Sequence, residues 1–166
     1  MRPVRRSAPA PVDLAVELIG VPQGSPLDLD LRLESVMEGV LVSGTVTGRI
    51  AGQCGRCLDP FTAELTVDVQ ELFVYPDSTT DETTERDEVP RIEHGLLDLE
   101  PVVRDVVVLA LPLTPLCRPD CAGLCAGCGG RLDDLPEDHR HELTDRRWAA
   151  LAEKFGGDSR SREDTP

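Results

Sequence analysis

From Leu27 the chain alternates without a slip: Leu27, Leu29, Leu31 and Leu33 fall on one side, Asp28, Asp30, Arg32 and Glu34 on the other. A period of two is the mark of a half-buried strand. Glu38 and Gly39 offer a turn. A second strand follows over residues 39–52, with Val40, Val42, Val46 and Ile50 as its apolar points, and Gly44 and Gly48 as candidate bulges. A third alternates through Phe61, Ala63, Leu65, Val67 and Val69, then shifts phase near Leu72, which predicts a bulge or a strand end there. Upstream, residues 13–19 read as a short edge strand and residues 1–12 as a flexible N-terminus. Residues 76–95 lose all periodicity and carry seven acids against two arginines, the composition of a disordered acidic loop.

Period changes after Asp98. Val102, Val103, Val106, Val107, Ala110 and Leu111 are spaced for one helical face. Asp98 is placed to cap it, and Pro101 suits a first turn. Valine this dense also permits a strand, but cap and length favour a helix, ended by Pro112 and Pro115. A last short helix is predicted from Thr144, with Trp148, Leu151, Ala152 and Phe155 on one face, either docked on the body or presenting Trp148 to a partner. Residues 156–166 read as a disordered polar tail. The pattern predicts an α+β fold: an antiparallel β-sheet or meander with one main helix, a cysteine-rich, zinc-knuckle-like lobe at residues 116–132 and a short C-terminal helix. Residues 13–155 would form a single domain.

Composition changes this picture in two ways. Three Phe, one Tyr and one Trp in 166 residues leave the core to Val and Leu. A formal net charge of -14 repels phosphate backbones and attracts basic partners. No apolar run is long enough to span a membrane and no secretory segment is visible, so a cytoplasmic protein is expected.

Six cysteines carry the candidate chemistry. Cys54 and Cys57 form one C-x-x-C. Cys117, Cys121, Cys125 and Cys128 crowd a second stretch, with Gly127 and Gly129 allowing a tight turn. Close cysteine pairs are a metal-ligand signal, and Zn2+ takes four thiolates in a closed, structural tetrahedron. Two ligand sets compete. The local set is Cys117, Cys121, Cys125 and Cys128; it closes short loops and is favoured. The ribbon-type set joins Cys54 and Cys57 to Cys125 and Cys128. Cys54 and Cys57 otherwise read as small apolar residues in a hairpin turn. Disulfides fit a secreted chain better, and a thioredoxin-type pair would open a helix. His139 and His141 read as exposed loop residues, although a histidine can replace a cysteine at a metal. No nucleophile triad, phosphate loop or metalloprotease motif appears, so an enzyme is not expected.

The order of these pieces resembles a bacterial family. It runs from C-x-R-C-L-x-P-F (Cys54 to Phe61), through a strand ending Glu71 to Pro76 and a D-L-x-P helix leading to L-P-L-x-P-L-C (Asp98 to Cys117). It closes with C-x-x-D-C-x-G-L-C-x-x-C-G (Cys117 to Gly129). This is similar to the YceD family, the large ribosomal RNA subunit accumulation proteins. The resemblance spans about residues 13–155. It implies a role in synthesis, processing or stable accumulation of 23S ribosomal RNA, and hence in large-subunit assembly. Some members lack most of the downstream cysteines, which argues that these act as a unit and that metal is not indispensable to the family's task. Set beside the charge of -14, an RNA-related role suggests a partner such as a basic ribosomal protein or another large-subunit assembly component. Direct RNA contact would need a local basic surface, for which Arg49, Arg56, Arg104 and Arg131 are candidates. A thiol-based redox protein is the remaining alternative.

Overall fold

Three long strands form the frame of the chain, and β5 (Gly39–Gln53) is the middle one. One of its edges pairs along its whole length with β6 (Pro60–Val74). The other pairs with β4 (Pro26–Ser35) and then, at Ala51 and Gly52, with β3 (Ile19–Gly20), itself paired with β2 (Ala15–Val16). All pairings in the sheet are antiparallel. The computed structural model describes residues 1–76, 78–83, 85, 89–141, 147, 151 and 154. Thr144, Trp148, Ala152 and Phe155 of the expected C-terminal helix lie outside the described residues, as does the expected tail. The described chain divides into two compact units, Met1–Cys121 and Ala122–Pro166. The boundary falls inside the 116–132 stretch that the sequence reading treats as one lobe.

The leucine alternation does its expected work. Leu27 and Leu31 are buried, Leu29 and Leu33 half-buried, and the intervening charged residues largely face water. Residues 1–12 are not loose. Arg2–Pro9 forms β1, in register along the outer edge of β4, with Arg5 Nε donating to Asp30 Oδ2 at 3.1 Å. Backbone hydrogen bonding decides this, since the segment has little apolar surface to bury; an unpaired β4 edge is a template for any extended neighbour. Neither Gly44 nor Gly48 makes a bulge, because pairing runs unbroken on both sides of β5. Gly44 serves close approach instead: its φ is 147° and a Cβ there would stand 2.1 Å from the Asp30 carbonyl oxygen. β6 carries no bulge at Leu72 and ends two residues on, at Val74. Phe73 and Val74 are both fully buried, so the strand end is covered on two sides and loses its alternation without losing its register.

The acidic stretch is more ordered than its composition predicts. Thr79–Thr83 forms a short helix, α1, whose Asp81 carboxylate accepts from Arg91 Nε. Arg91 itself bridges to Val74 at the end of β6. The expected main helix is α2, Glu100–Ala110. Asp98 acts one position earlier than a standard cap: Leu99 is the N-cap residue, and Asp98 Oδ1 accepts from the Glu100 N–H at 3.0 Å. Val102, Val103, Val107 and then Leu111 are buried with Leu31, Val42, Val46, Val69 and Phe73 of the sheet. Valine and leucine thus supply most of the core, and apolar burial of this kind is the main favourable term in folding. α2 then releases the chain at Pro112 towards the β5–β6 turn, and that return builds the site.

Candidate metal centre

Cys54 and Cys57 sit in the turn between β5 and β6. The chain closes this turn with backbone bonds from Cys54 N–H to Asp59 O and from Leu58 N–H to Cys54 O, both 2.9 Å. Leu58 takes a left-handed φ of 63°. This is uncommon for a residue with a branched side chain. It lets the chain reverse so that both sulfurs face one point. Gly55 N–H donates to Pro115 O at 2.7 Å, and Arg56 Nη1 donates to Cys121 O at 2.9 Å. These two bonds dock the chain after α2 onto the turn and bring Cys117 and Cys121 beside the upstream pair.

The sulfurs of Cys54, Cys57, Cys117 and Cys121 all lie within 4.8 Å of one another. Cys54 to Cys121 and Cys57 to Cys117 are each 3.7 Å. A disulfide would need ~2.05 Å, and all six cysteines are free. A tetrahedron with ~2.3 Å metal–sulfur bonds has edges of ~3.8 Å. The separations therefore match four thiolates gathered on one ion. Cys54, Cys57 and Cys121 are buried, flanked by Phe61 and Leu116, so such an ion would be shielded from water.

Electrostatics agree with that arrangement. Backbone N–H groups of Cys57 and Cys117 stabilise the Cys54 thiolate and lower its pKa to about 6. Burial, then the neighbouring thiols, push Cys57 up to about 12, and burial raises Cys117 as well. Four negative charges cannot share so small a volume unaided, so some of the thiols hold their protons until a cation replaces them.

A second cluster lies wholly in the other unit. Cys125, Cys128, His139 and His141 each offer an atom within 4.8 Å of the others. Its turn repeats the first one. Cys125 N–H donates to Gly130 O at 2.7 Å, Gly129 N–H to Cys125 O at 2.8 Å, and Gly129 takes a φ of 70° where Leu58 has 63°. Cys125 is lowered to about 6 by the N–H groups of Cys128 and Gly127, as Cys54 is in its own turn.

The thiols group differently from either expected ligand set. In the local set, Cys117 and Cys121 close with the sheet turn, while Cys125 and Cys128 belong to the second unit and gather two histidines. In the ribbon-type set, Cys54 and Cys57 take the other downstream pair. Sequence spacing favours short loops, but the return of the chain after α2 makes a partner 60 residues away a near neighbour. His139 and His141 join a cluster rather than standing apart as loop residues. Arg56 is exposed, as a basic surface residue would be, and its guanidinium also braces the site through the Cys121 carbonyl. Of the other candidate arginines, Arg104 is paired with Glu100 at 2.8 Å and Arg49 sits in register with Glu64.

Comparisons with known proteins agree with the sequence resemblance. The sequence model of the family described as "Large ribosomal RNA subunit accumulation protein YceD" matches residues 42–153. The uncharacterized protein Rv2926c of Mycobacterium tuberculosis is 53% identical over 150 residues, covering 90% of this chain and 72% of that protein. The uncharacterized protein ML1660 of Mycobacterium leprae is 41% identical over 155 residues, 93% of this chain and 71% of its own length. The uncharacterized protein YlbN of Bacillus subtilis is 25% identical over 138 residues, 82% and 78% respectively. No solved structure matches the chain.

Proposed function

The chain belongs to the YceD family, the large ribosomal RNA subunit accumulation proteins, and from that membership we propose that it is a non-enzymatic cytoplasmic factor supporting 23S ribosomal RNA accumulation and large-subunit assembly. The family match over residues 42–153 carries this reading, because it takes in most of β5, all of β6 and α2, and every cysteine. The factor acts chiefly through protein contacts. A charge of -14 disfavours bare RNA and favours a basic ribosomal protein, which such a surface would shield until RNA displaces it. One of the arginines that a direct RNA contact would use, Arg104, is ion-paired with the Glu100 carboxylate. Among the described residues, no helix is long and apolar enough to cross a membrane.

Cys54, Cys57, Cys117 and Cys121 would hold a structural zinc ion in this reading. Four thiolates leave such an ion no open position for water, so its contribution is a fixed junction between the β5–β6 turn and the chain leaving α2. Two positive charges against four thiolates leave a net -2, which Arg56 and the turn's N–H groups offset.

Depletion of the protein tests the role: the 23S to 16S ribosomal RNA ratio and the large-subunit peak in sucrose gradients should fall, and recover when the protein is restored. A tagged chain should co-purify a basic large-subunit protein. Unchanged ribosome profiles would refute the role. Recovery of 23S RNA alone, released steeply by salt, would refute the protein-contact version.

A further inference from the structure

Among its described residues, the second unit buries very little apolar surface. Among the described residues from Ala122 onward, Gly123 is the single buried one. Over residues 122–141 the regular structure is one short 3-10 turn, Leu132–Asp134, and one isolated bridge, Leu124 to Arg131. A stretch with as little apolar burial as the described residues 122–141 is stabilised when something cross-links it, and structural metals do so in small modules. At the middle of this segment stand two thiols and two imidazoles.

The geometry is that of a ligand set. Cys128 Sγ lies 3.5 Å from His139 Nε2. A tetrahedron with ~2.3 Å metal–sulfur and ~2.0 Å metal–nitrogen bonds has a mixed edge of about 3.5 Å. The rings of His139 and His141 meet edge to face, with centroids 4.6 Å apart. His141 packs so tightly on Gly127 that a Cβ there would meet its ring at 2.5 Å. The His139 N–H is fixed to Pro136 O at 2.9 Å. Two thiolates and two neutral imidazoles carry -2, so one divalent cation leaves the site neutral, with two thiol protons released.

We propose that Cys125, Cys128, His139 and His141 form a second metal site, distinct from the four-thiolate centre, that takes a zinc ion, exchanges it more readily, and folds residues 122–141 around it. Easier exchange follows from access. Cys128 and His141 are exposed, whereas Cys54, Cys57 and Cys121 are buried. The proposal does not depend on the ribosomal role.

The test counts zinc on the full chain by native mass spectrometry. The wild type should carry two ions. A mild chelator should remove one first, and Cys125→Ser/Cys128→Ser should lack that ion from the start. His139→Ala/His141→Ala, which spares both thiols, should lose it too. Hydrogen exchange supplies a readout free of activity. After mild chelation the Leu132 N–H, bonded to Gly123 O at 2.9 Å, should lose protection while the amides of β4 to β6 keep theirs. A single wild-type ion that is retained in Cys125→Ser/Cys128→Ser would overturn the proposal, whereas a single ion lost in that variant would instead count against the four-thiolate centre. A second ion that survives loss of Cys125 and Cys128, or unchanged protection at Leu132, would also overturn the proposal.

Discussion

Cutting the downstream half of the four-thiolate centre, with Cys117→Ser/Cys121→Ser, is expected to abolish a zinc-dependent stabilisation of the sheet unit of about 4 kcal/mol. The magnitude comes from the span being closed. Cys57 and Cys117 are 60 residues apart in the chain and 3.7 Å apart in space. In the denatured chain the four thiolates reach one ion only by closing that loop. The chain-entropy relation for a cross-link of this length gives ~14 cal/mol/K, or about 4 kcal/mol at 25 °C. The native chain meets no such cost, because its sulfurs already stand near the corners of a tetrahedron. Urea titrations followed by far-ultraviolet circular dichroism would measure this for wild type and variant, each with saturating zinc and with a strong chelator. Comparing the two conditions within each protein cancels the separate cost of placing serine at buried Cys121. Chelation should destabilise the wild type by about 4 kcal/mol and leave the variant nearly unchanged. A wild-type response below about 1 kcal/mol, or an equal response in the variant, would refute the reasoning.

Three further outcomes follow from the same geometry. Leu58 holds a left-handed φ of 63°, so Leu58→Gly should leave the thermal midpoint unchanged or raise it, whereas β-branched Leu58→Val should lose roughly 1–2 kcal/mol in the same urea assay. Phe73 is completely buried between the sheet and α2; Phe73→Ala should cost about 3–5 kcal/mol in chemical denaturation, with the zinc count unchanged. Arg56→Ala removes the donor to the Cys121 carbonyl and should speed zinc loss to a competing chelator by roughly tenfold or more at unaltered stoichiometry, as loss of a supporting hydrogen bond does at other metal sites.

Much of the fold was legible because its strands obey a strict period. The Leu27 to Leu33 alternation, the Val40 to Ile50 points and the Phe61 to Val69 alternation each became a strand of the expected direction. The helix at Val102 was chosen over a strand for its cap and length, and α2 is there. β1 was not legible, since Arg2–Pro9 has no apolar face; only the vacant edge of β4 explains it. α1 escaped for a similar reason: Arg91 and Asp81 meet across a stretch whose composition alone says solvent.

The site was half legible. Cysteine pairing pointed to metal-ligand geometry, but spacing along the chain could not say which pairs share a centre. That depends on where α2 delivers Pro115, a tertiary fact written in the bond from Gly55 to its carbonyl. The left-handed turns at Leu58 and Gly129, which shape both C-x-x-C pairs alike, show only in the backbone. The H-x-H at His139 and His141, shortly after a knuckle that had lost Cys117 and Cys121 to the sheet, supplies the two ligands that knuckle lacks.

Zinc K-edge X-ray absorption on the Cys125→Ser/Cys128→Ser protein tests the division of the thiols most directly. The account predicts one retained ion with four sulfur neighbours at ~2.3 Å and no nitrogen. Loss of all zinc from that variant would contradict it, because Cys117 and Cys121 would then need Cys125 and Cys128, and the junction with Cys54 and Cys57 would not exist.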